Sequence, residues 1–189
     1  MTFDKEFISR IKVEPFDRKR HDRTAFSCGV DRIDNFLKIT AGNHADHDHG
    51  KVYVACESTS DIVLGFYAIS PHCVDLSVLS EEVRKRLPNQ PKVSAIYLSM
   101  VGVDTSLQGR GVGTFLMMSA LRKCVEGADV MGGHFVVLDA INEEAARMYR
   151  RIGFVELASQ PNRMLIAMRT VRKAVAVASP LARSTAAGS

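Results

Sequence analysis

The chain has 189 residues, 46% hydrophobic and 24% charged, the make-up of a one-domain globular protein with a full core. No apolar run approaches the roughly twenty residues that span a bilayer, and the acid-bearing first ten residues are not a secretory leader. Cys28, Cys56, Cys73 and Cys124 are scattered with no Cys-x-x-Cys pair, which argues against a zinc ribbon or disulfide scaffold and for a reducing cytoplasm.

In chain order, residues 7–16 read as an opening strand, followed by a basic loop over 18–23. Val30, Ile33, Phe36 and Leu37 recur at helical spacing, with Gly42 as the stop. Residues 52–56 and 62–69 read as antiparallel strands joined by a polar turn at 57–61. A short helix over 79–87 ends at Pro88, and a long strand runs over 93–103. A helix follows from Thr114 to about residue 126, then a buried strand at 135–138. Asn142 caps the next helix, with Glu143 and Glu144 in its first turn, an inward stripe of Ala145, Met148, Tyr149 and Ile152, and Gly153 as its end. Strands at 154–157 and 164–168 close the fold. From Thr170 onward an Ala-, Ser- and Val-rich basic tail is expected to be partly disordered, leaving residues 1–169 as the domain. The element order is mixed α/β.

The run Gln108-Gly109-Arg110-Gly111-Val112-Gly113 stands between the long strand, with its polar turn at 104–107, and the helix that begins at Thr114. The first amides of a helix lack internal partners, and the helix dipole adds roughly half a positive charge there. Such a turn presents N–H groups to a phosphate. Gly111 and Gly113 permit close approach, and Arg110 adds a cation. No Lys follows Gly113, which excludes a Walker loop, and the order differs from a dinucleotide fingerprint.

Gln-x-x-Gly-x-Gly resembles the acetyl-CoA pyrophosphate loop of the GNAT N-acetyltransferases. The segment Asn142 to Phe154, Asn-Glu-Glu-Ala-Ala-Arg-Met-Tyr-Arg-Arg-Ile-Gly-Phe, resembles the late helix of the same family. Within it, the chain is similar to the tRNA-acetylating toxins of type II toxin–antitoxin modules. The resemblance is carried by Phe26-Ser27-Cys28-Gly29, Asn35-Phe36-Leu37, Lys51 to Ala55, Gly65 to Ser70 and Val101-Gly102-Val103-Asp104. One departure is Met100, close to where many of those toxins carry Arg.

The resemblance implies a GNAT fold, a mixed central sheet of about six to seven strands flanked by helices and splayed at the acetyl-CoA site. It implies acetyl-CoA as donor, held by Gln108, Gly109, Arg110, Gly111, Val112, Gly113 and Thr114. Backbone amides near Val101, Gly102 and Val103 polarise the carbonyl, with Gly102 leaving the backbone open. Asn142 lies near the pantetheine arm or caps its helix, with Ala145 beside it. Tyr149 gives a proton to the leaving thiolate: a phenol of pKa about 10 does so only slightly uphill against a thiol of about 8.5. The implied partners are aminoacyl-tRNA and a cognate antitoxin with a ribbon–helix–helix DNA-binding part; a homodimer also fits.

No general base stands out. Deprotonating a lysine amine at pH 7 costs roughly 4–5 kcal/mol, an α-amine only about 1 kcal/mol, so aminoacyl-tRNA suits such an enzyme. Basic groups at Arg18–Arg23, Arg84–Arg86, Arg147–Arg151 and Arg163–Lys173 suit its phosphates if they converge. The segment His44-Ala45-Asp46-His47-Asp48-His49 reads as a polar loop rather than a metal site. Two other readings stay open: a housekeeping acetyltransferase acting on a small or protein amine, and a non-catalytic acyl-CoA-binding regulator.

Overall fold

The computed structural model describes residues 5–157 and 160–178. It contains strands β1 (Ile11–Pro15), β2 (Lys51–Glu57), β3 (Gly65–Asp75), β4 (Lys92–Val103), β5 (Phe135–Asp139), β6 (Val155–Leu157) and β7 (Gln160–Ala167). Its α-helices are α1 (Lys5–Ser9), α2 (Asp31–Asn35), α3 (Ala41–Asp46), α4 (Glu81–Arg84), α5 (Val112–Met131), α6 (Glu143–Ile152) and α7 (Met168–Ala178). The strands form one mixed seven-stranded sheet in the order β1-β2-β3-β4-β5-β7-β6. β1 and β2 pair antiparallel, with Ile11↔Glu57, across a long connection that holds α2 and α3, and β2 and β3 pair antiparallel, with Lys51↔Ile69, across a short one. The passage from β4 to β5 runs through α5, the long crossover that a parallel pair requires.

The described residues group into two compact units, one within Met1–Ser70 and Leu98–Ala120, the other within Pro71–Tyr97 and Leu121–Ser189. The first unit buries Phe26, Ile33, Leu37, Val54 and Phe66 in its core. The second packs Val74, Leu79, Val93, Phe135, Val137 and Leu165 together.

Several elements differ from the sequence expectation. The opening segment is helix α1 followed by the short strand β1, because Phe7 packs as a helical residue and the pairing with β2 begins only at Ile11. Gly42 does not end its helix: a π-helical turn, Phe36–Thr40, carries the chain into α3, and the Gly42 Cα lies under Arg18. The left-handed Asp48 follows two residues after α3 instead, at φ 54°. Strand β3 starts at Gly65 and runs on through Pro71 to Asp75, while Ile62 makes only an isolated bridge to Asp22. Helix α4 shrinks to four residues, all exposed, since no apolar stripe anchors it. Helix α5 continues through Gly127 to Met131, and the left-handed Gly132 follows it. Of the tail expected to be partly disordered, residues 170–178 belong to α7, because Met168 and Val171 bury one helical face that composition alone conceals. Residues 179–189 of that tail lie outside the described residues.

The histidine-rich segment is partly helical and turns on local pairs. His44 meets Phe36 edge-on at 5.3 Å, Asp46 accepts from Arg18 at 3.3 Å and Asp48 from Lys51 at 2.8 Å. Among the described residues, the acidic and imidazole groups that do converge are Glu14, His21 and Asp61. Cations of the chain already bridge them: Arg20 lies 2.8 Å from Glu14 and 3.7 Å from Asp61, and Lys12 lies 3.3 and 3.6 Å from the same two. His21 is buried; its Nδ1 accepts from the Asp17 amide at 2.9 Å, so Nε2 carries the ring proton and donates to Glu14 at 3.1 Å. The hydrogen bond from Arg20, opposed by burial and aided by His21 and Lys12, holds the Glu14 carboxyl at about 2.

Gly102 near the end of β4 was expected to keep the backbone open. The structure gives another reason: a Cβ there would stand 2.9 Å from Phe66 Cε1, 3.0 Å from Ile33 Cγ2 and 3.3 Å from Phe26 Cζ. The aromatic core presses directly on the strand.

Two outcomes follow from this packing. The Glu14 carboxyl titrates at about 2 in the fold against 4.5 when unfolded, so its stabilisation is complete above pH 4.5 and disappears as pH falls toward 2. Thermal melts of Glu14→Gln should therefore show a lower midpoint at pH 7 and a shallower acid decline than wild type. Gly102→Ala should lose about 1–3 kcal/mol in urea unfolding, since the buried rings have little room to retreat.

Candidate functional site

Residues Val101 to Thr114 lie in the first unit. Val101, Gly102 and Val103 end β4, and a 3-10 turn, Thr105–Leu107, follows Asp104. Asp104 organises the connection. Its Oδ1 accepts from the Ser106 amide at 3.0 Å and the Ser106 hydroxyl at 2.6 Å, and its Oδ2 accepts from the Ser27 amide at 3.1 Å. Burial works against this charge, and the hydrogen bonds from Ser106 and Ser27 overcome it, holding the carboxyl below its usual range. Gln108 turns back on the chain: Nε2 donates to the carbonyls of Cys28 at 2.9 Å and Val103 at 3.0 Å. Its side chain, though exposed, fastens the turn.

Beyond Gln108 the backbone is shaped for an anion. Gly109 and Gly111 take left-handed φ values of 76° and 88°, conformations that favour glycine. Val112 begins α5 and is fully buried, Thr114 lies in the first turn, and the Phe115 amide donates to the Gly111 carbonyl at 3.1 Å. Alternating backbone hands turn successive amides toward one side, and the first amides of the twenty-residue helix lack partners within it. Gly113 is different in kind. It has no left-handed φ, and a Cβ would meet only Val103 Cγ2, at 3.8 Å. Neither strain nor crowding asks for glycine there; the missing side chain leaves open surface beside the amides. Arg110 projects over the Phe7 ring, 4.8 Å from its centroid, a cation–π placement that nothing in the local sequence signals. A pyrophosphate-bearing donor fits this cradle.

Asn142, Ala145 and Tyr149 lie in the second unit, on and before α6. Asn142 is extended, and its Oδ1 accepts from the Ala145 amide at 2.8 Å. Asn142 thus caps the helix, a role compatible with a place near the pantetheine arm, and the Ala145 amide is taken up by the cap. Gly153 closes the helix at φ 111°, its amide donating to the Tyr149 and Arg150 carbonyls at 3.2 and 3.0 Å. Arg150 pairs with Glu143 at the start of α6 and with Glu156 beyond its end. Tyr149 itself is 8% exposed, its ring 5.9 Å from that of Phe154. Burial pushes its phenol up to about 12. Among the described residues no group is hydrogen-bonded to its hydroxyl. The side chain is a neutral donor without a protein acceptor.

A polar cluster that the sequence reading did not assemble stands at the end of β5. Asp139 accepts from Arg163 Nε at 2.8 Å and Nη2 at 2.9 Å, and from the Tyr97 hydroxyl at 2.6 Å. The His72 ring lies 5.3 Å from that of Tyr97. Asp139 and Arg163 face each other in the β5–β7 register, so only strand pairing could reveal them. The cluster anchors the strand end from which the Asn142 cap and α6 depart.

The basic groups divide once partners are counted. Arg18, Arg20, Lys85, Arg150, Arg163 and Arg172 are each spent on a carboxylate of this chain. Among the described residues, Arg84, Arg86, Arg151, Arg169 and Lys173 are exposed and have no such partner. All five belong to the second unit. No helix among the described residues is long and apolar enough to cross a membrane.

The acetyltransferase (GNAT) domain family matches residues 48–156. A probable toxin TacT from Sinorhizobium fredii is 36% identical over 167 residues, covering 85% of this chain and 92% of that protein. A tRNA-acetylating toxin from Mycobacterium tuberculosis is 31% identical over 153 residues, covering 80% and 89%. Among solved structures, AtaT complexed with acetyl-methionyl-tRNAfMet superposes with a TM-score of 0.79 at 24% identity, over 86% of this chain and 98% of that one. A Tyr-to-Phe mutant of AtaT bound to the C-terminus of the antitoxin AtaR and acetyl-CoA gives a TM-score of 0.74 at 20% identity, over 87% and 97%. These two structural likenesses concern the fold. With the domain match spanning β2 to β6 and two relatives aligned over most of their lengths, the chain belongs to the GNAT acetyltransferase family.

Proposed function

We propose that this protein transfers acetyl from acetyl-CoA to the amino group of aminoacyl-tRNA, and so acts as the translation-blocking toxin of a type II toxin–antitoxin module. The observation that carries the donor half is the turn at the head of α5, where Gly113 is required by neither strain nor packing. The acceptor half is supported by the two toxin relatives and by the unpaired cations of the second unit.

When bound, acetyl-CoA supplies the acetyl group as an activated thioester. The amides from Gly109 to Gly113, with Arg110 and the first turn at Thr114, hold its pyrophosphate. Amides near Val101 and Val103 polarise the acetyl carbonyl. The acceptor amine, in its neutral form, forms the new C–N bond as the C–S bond breaks. Tyr149 meets the charge that develops on sulfur. With the phenol at about 12 and a thiol near 8.5, complete proton transfer is uphill by roughly 5 kcal/mol. Tyr149 therefore acts first as a hydrogen-bond donor to the thiolate, and its protonated state persists across the working pH range. An α-amine near pKa 8 is about one-tenth neutral at pH 7, so no strong base is called for. Once the C–N bond has formed, the nitrogen sheds its extra proton to solvent, and the departing thiolate takes one up from solvent. Asn142 and Ala145 serve this step by capping the helix that carries Tyr149.

The partner of the resting protein is a cognate antitoxin with a ribbon–helix–helix DNA-binding part and a neutralising tail, a reading supported by the AtaT structure with the AtaR C-terminus. A homodimer belongs to the same reading, and exposed Val130, Met131 and Val177 offer it apolar surface. A cytoplasmic protein, where charged tRNA is used, belongs to the same reading.

The deciding experiment follows labelled acetyl from acetyl-CoA into a pool of aminoacyl-tRNAs, with wild type beside Tyr149→Phe. Label on the aminoacyl end, reduced about 10²–10⁴-fold in the variant with acetyl-CoA binding retained, is expected. No label on charged tRNA from protein that binds acetyl-CoA would redirect the assignment to small or protein amines. In short initial-rate assays kcat/KM should rise to about pH 8 as the amine loses its proton, then stay level to about pH 9.5, since the phenol does not ionise there. Arg84→Ala with Arg86→Ala should weaken tRNA binding and lower the slope of log K against log salt by about 1 for each phosphate the variant no longer neutralises.

A further inference from the structure

Phe26-Ser27-Cys28-Gly29 is singled out by the sequence, and no catalytic step above uses it. In the first unit it touches both parts of the donor machinery. The Phe26 ring is 2% exposed and packs against Gly102, where an added Cβ would stand 3.3 Å from Cζ. The Ser27 amide donates to Asp104 Oδ2 at 3.1 Å, and the Ser27 carbonyl accepts from the Thr105 amide at 2.8 Å. The Cys28 carbonyl accepts from Gln108 Nε2 at 2.9 Å. Left-handed Gly29, at φ 82°, lets the chain turn away with its Cα close to Thr105. Three hydrogen bonds thus join this segment to the five residues that precede the anion-binding glycines.

The segment is itself held by one carboxylate. Asp34 on α2 is 9% exposed; its Oδ1 accepts from the Cys28 amide at 2.8 Å and its Oδ2 from the Ser27 hydroxyl at 2.9 Å. Burial opposes the charge, and hydrogen bonds from Cys28 and Ser27 outweigh it, holding the carboxyl below its usual range. A buried carboxylate that accepts from a backbone amide and a hydroxyl is a strong, directional clamp.

We propose that residues 26–29 form a brace that sets the donor-binding turn, with Asp34 as its positioning residue, so that the amides from Gly109 to Gly113 meet the pyrophosphate in register. The inference rests on the donor reading given above and adds a site that touches no substrate. Asp34 fixes Ser27 and Cys28, these fix Asp104, Thr105 and Gln108, and the glycine turn follows from them. A misplacement transmitted along this chain falls on the pyrophosphate contacts, which the first unit supplies.

The test compares acetyl-CoA with acetyl-pantetheine, which has the same thioester but no pyrophosphate, on wild type, Asp34→Asn and Gln108→Leu. Asp34→Asn keeps the side-chain shape, and Gln108→Leu changes an exposed side chain, so the two variants report independently of a folding defect in either. The expected result is a KM and Kd for acetyl-CoA raised about tenfold, as when one charge-assisted hydrogen bond is removed. At saturating acetyl-CoA, kcat should stay near wild type, and with acetyl-pantetheine the variants should match wild type. Unchanged acetyl-CoA affinity in both variants would overturn the brace, as would an equal loss with both donors. Wild-type protein that fails to bind acetyl-CoA would instead overturn the donor reading on which the brace stands.

Discussion

The connection from β4 to α5 depends on one half-buried carboxylate that satisfies the polar groups around it, and Asp104 carries that burden. One carboxylate closes the turn after β4 through Ser106 and ties it to a distant loop through Ser27. Gln108 completes the arrangement by taking up the Cys28 and Val103 carbonyls. Beyond it stand the left-handed Gly109 and Gly111 and the start of a twenty-residue helix, whose dipole favours negative charge. Strain and openness divide between the glycines: Gly109 and Gly111 supply backbone hand, and Gly113 supplies access.

The same economy governs the second unit. Helix α6 is defined at both ends by local chemistry, Asn142 at its start and Gly153 at its close. Asp139, clamped by Arg163 and Tyr97, anchors the strand that leads into it. Tyr149 is thereby carried on a helix whose position is over-determined. Its burial has a chemical consequence: a phenol raised to about 12 is a durable hydrogen-bond donor and a reluctant acid. Stabilisation of a leaving thiolate suits that character better than early proton transfer.

Charge in this protein serves structure before it serves binding. Arg20, Arg150, Arg163 and Arg172 sit in basic clusters of the sequence, yet each is neutralised by a carboxylate brought to it by the fold. The cations left over, Lys19 and those from Arg84 to Lys173 among them, are exposed, and their value to an anionic partner is set by salt and by number rather than by any one of them.

Local physical rules made much of the chain legible from residues alone. The glycine turn before a helix, the Asn cap with its acidic first turn, the glycine that ends α6 and the alternating strands are each decided within a few residues by backbone sterics and helix-end electrostatics, and the structure bears them out. Tertiary contacts decided the rest. Gly42 reads as a helix stop, yet a π-turn and the Arg18 side chain carry the helix past it. The tail reads as disordered by composition, yet Met168 and Val171 find a core to bury against. Gly102 is glycine because three apolar side chains press on it, Asp139 meets Arg163 only across paired strands, and Phe26 to Gly29 brace a turn nearly eighty residues away. The sequence by itself determined the elements whose ends are set locally, such as α6 between Asn142 and Gly153 and the glycine turn that precedes α5. Only the folded chain decided which charges are spent and which side chains hold the site in place, because those contacts join residues that no local pattern connects.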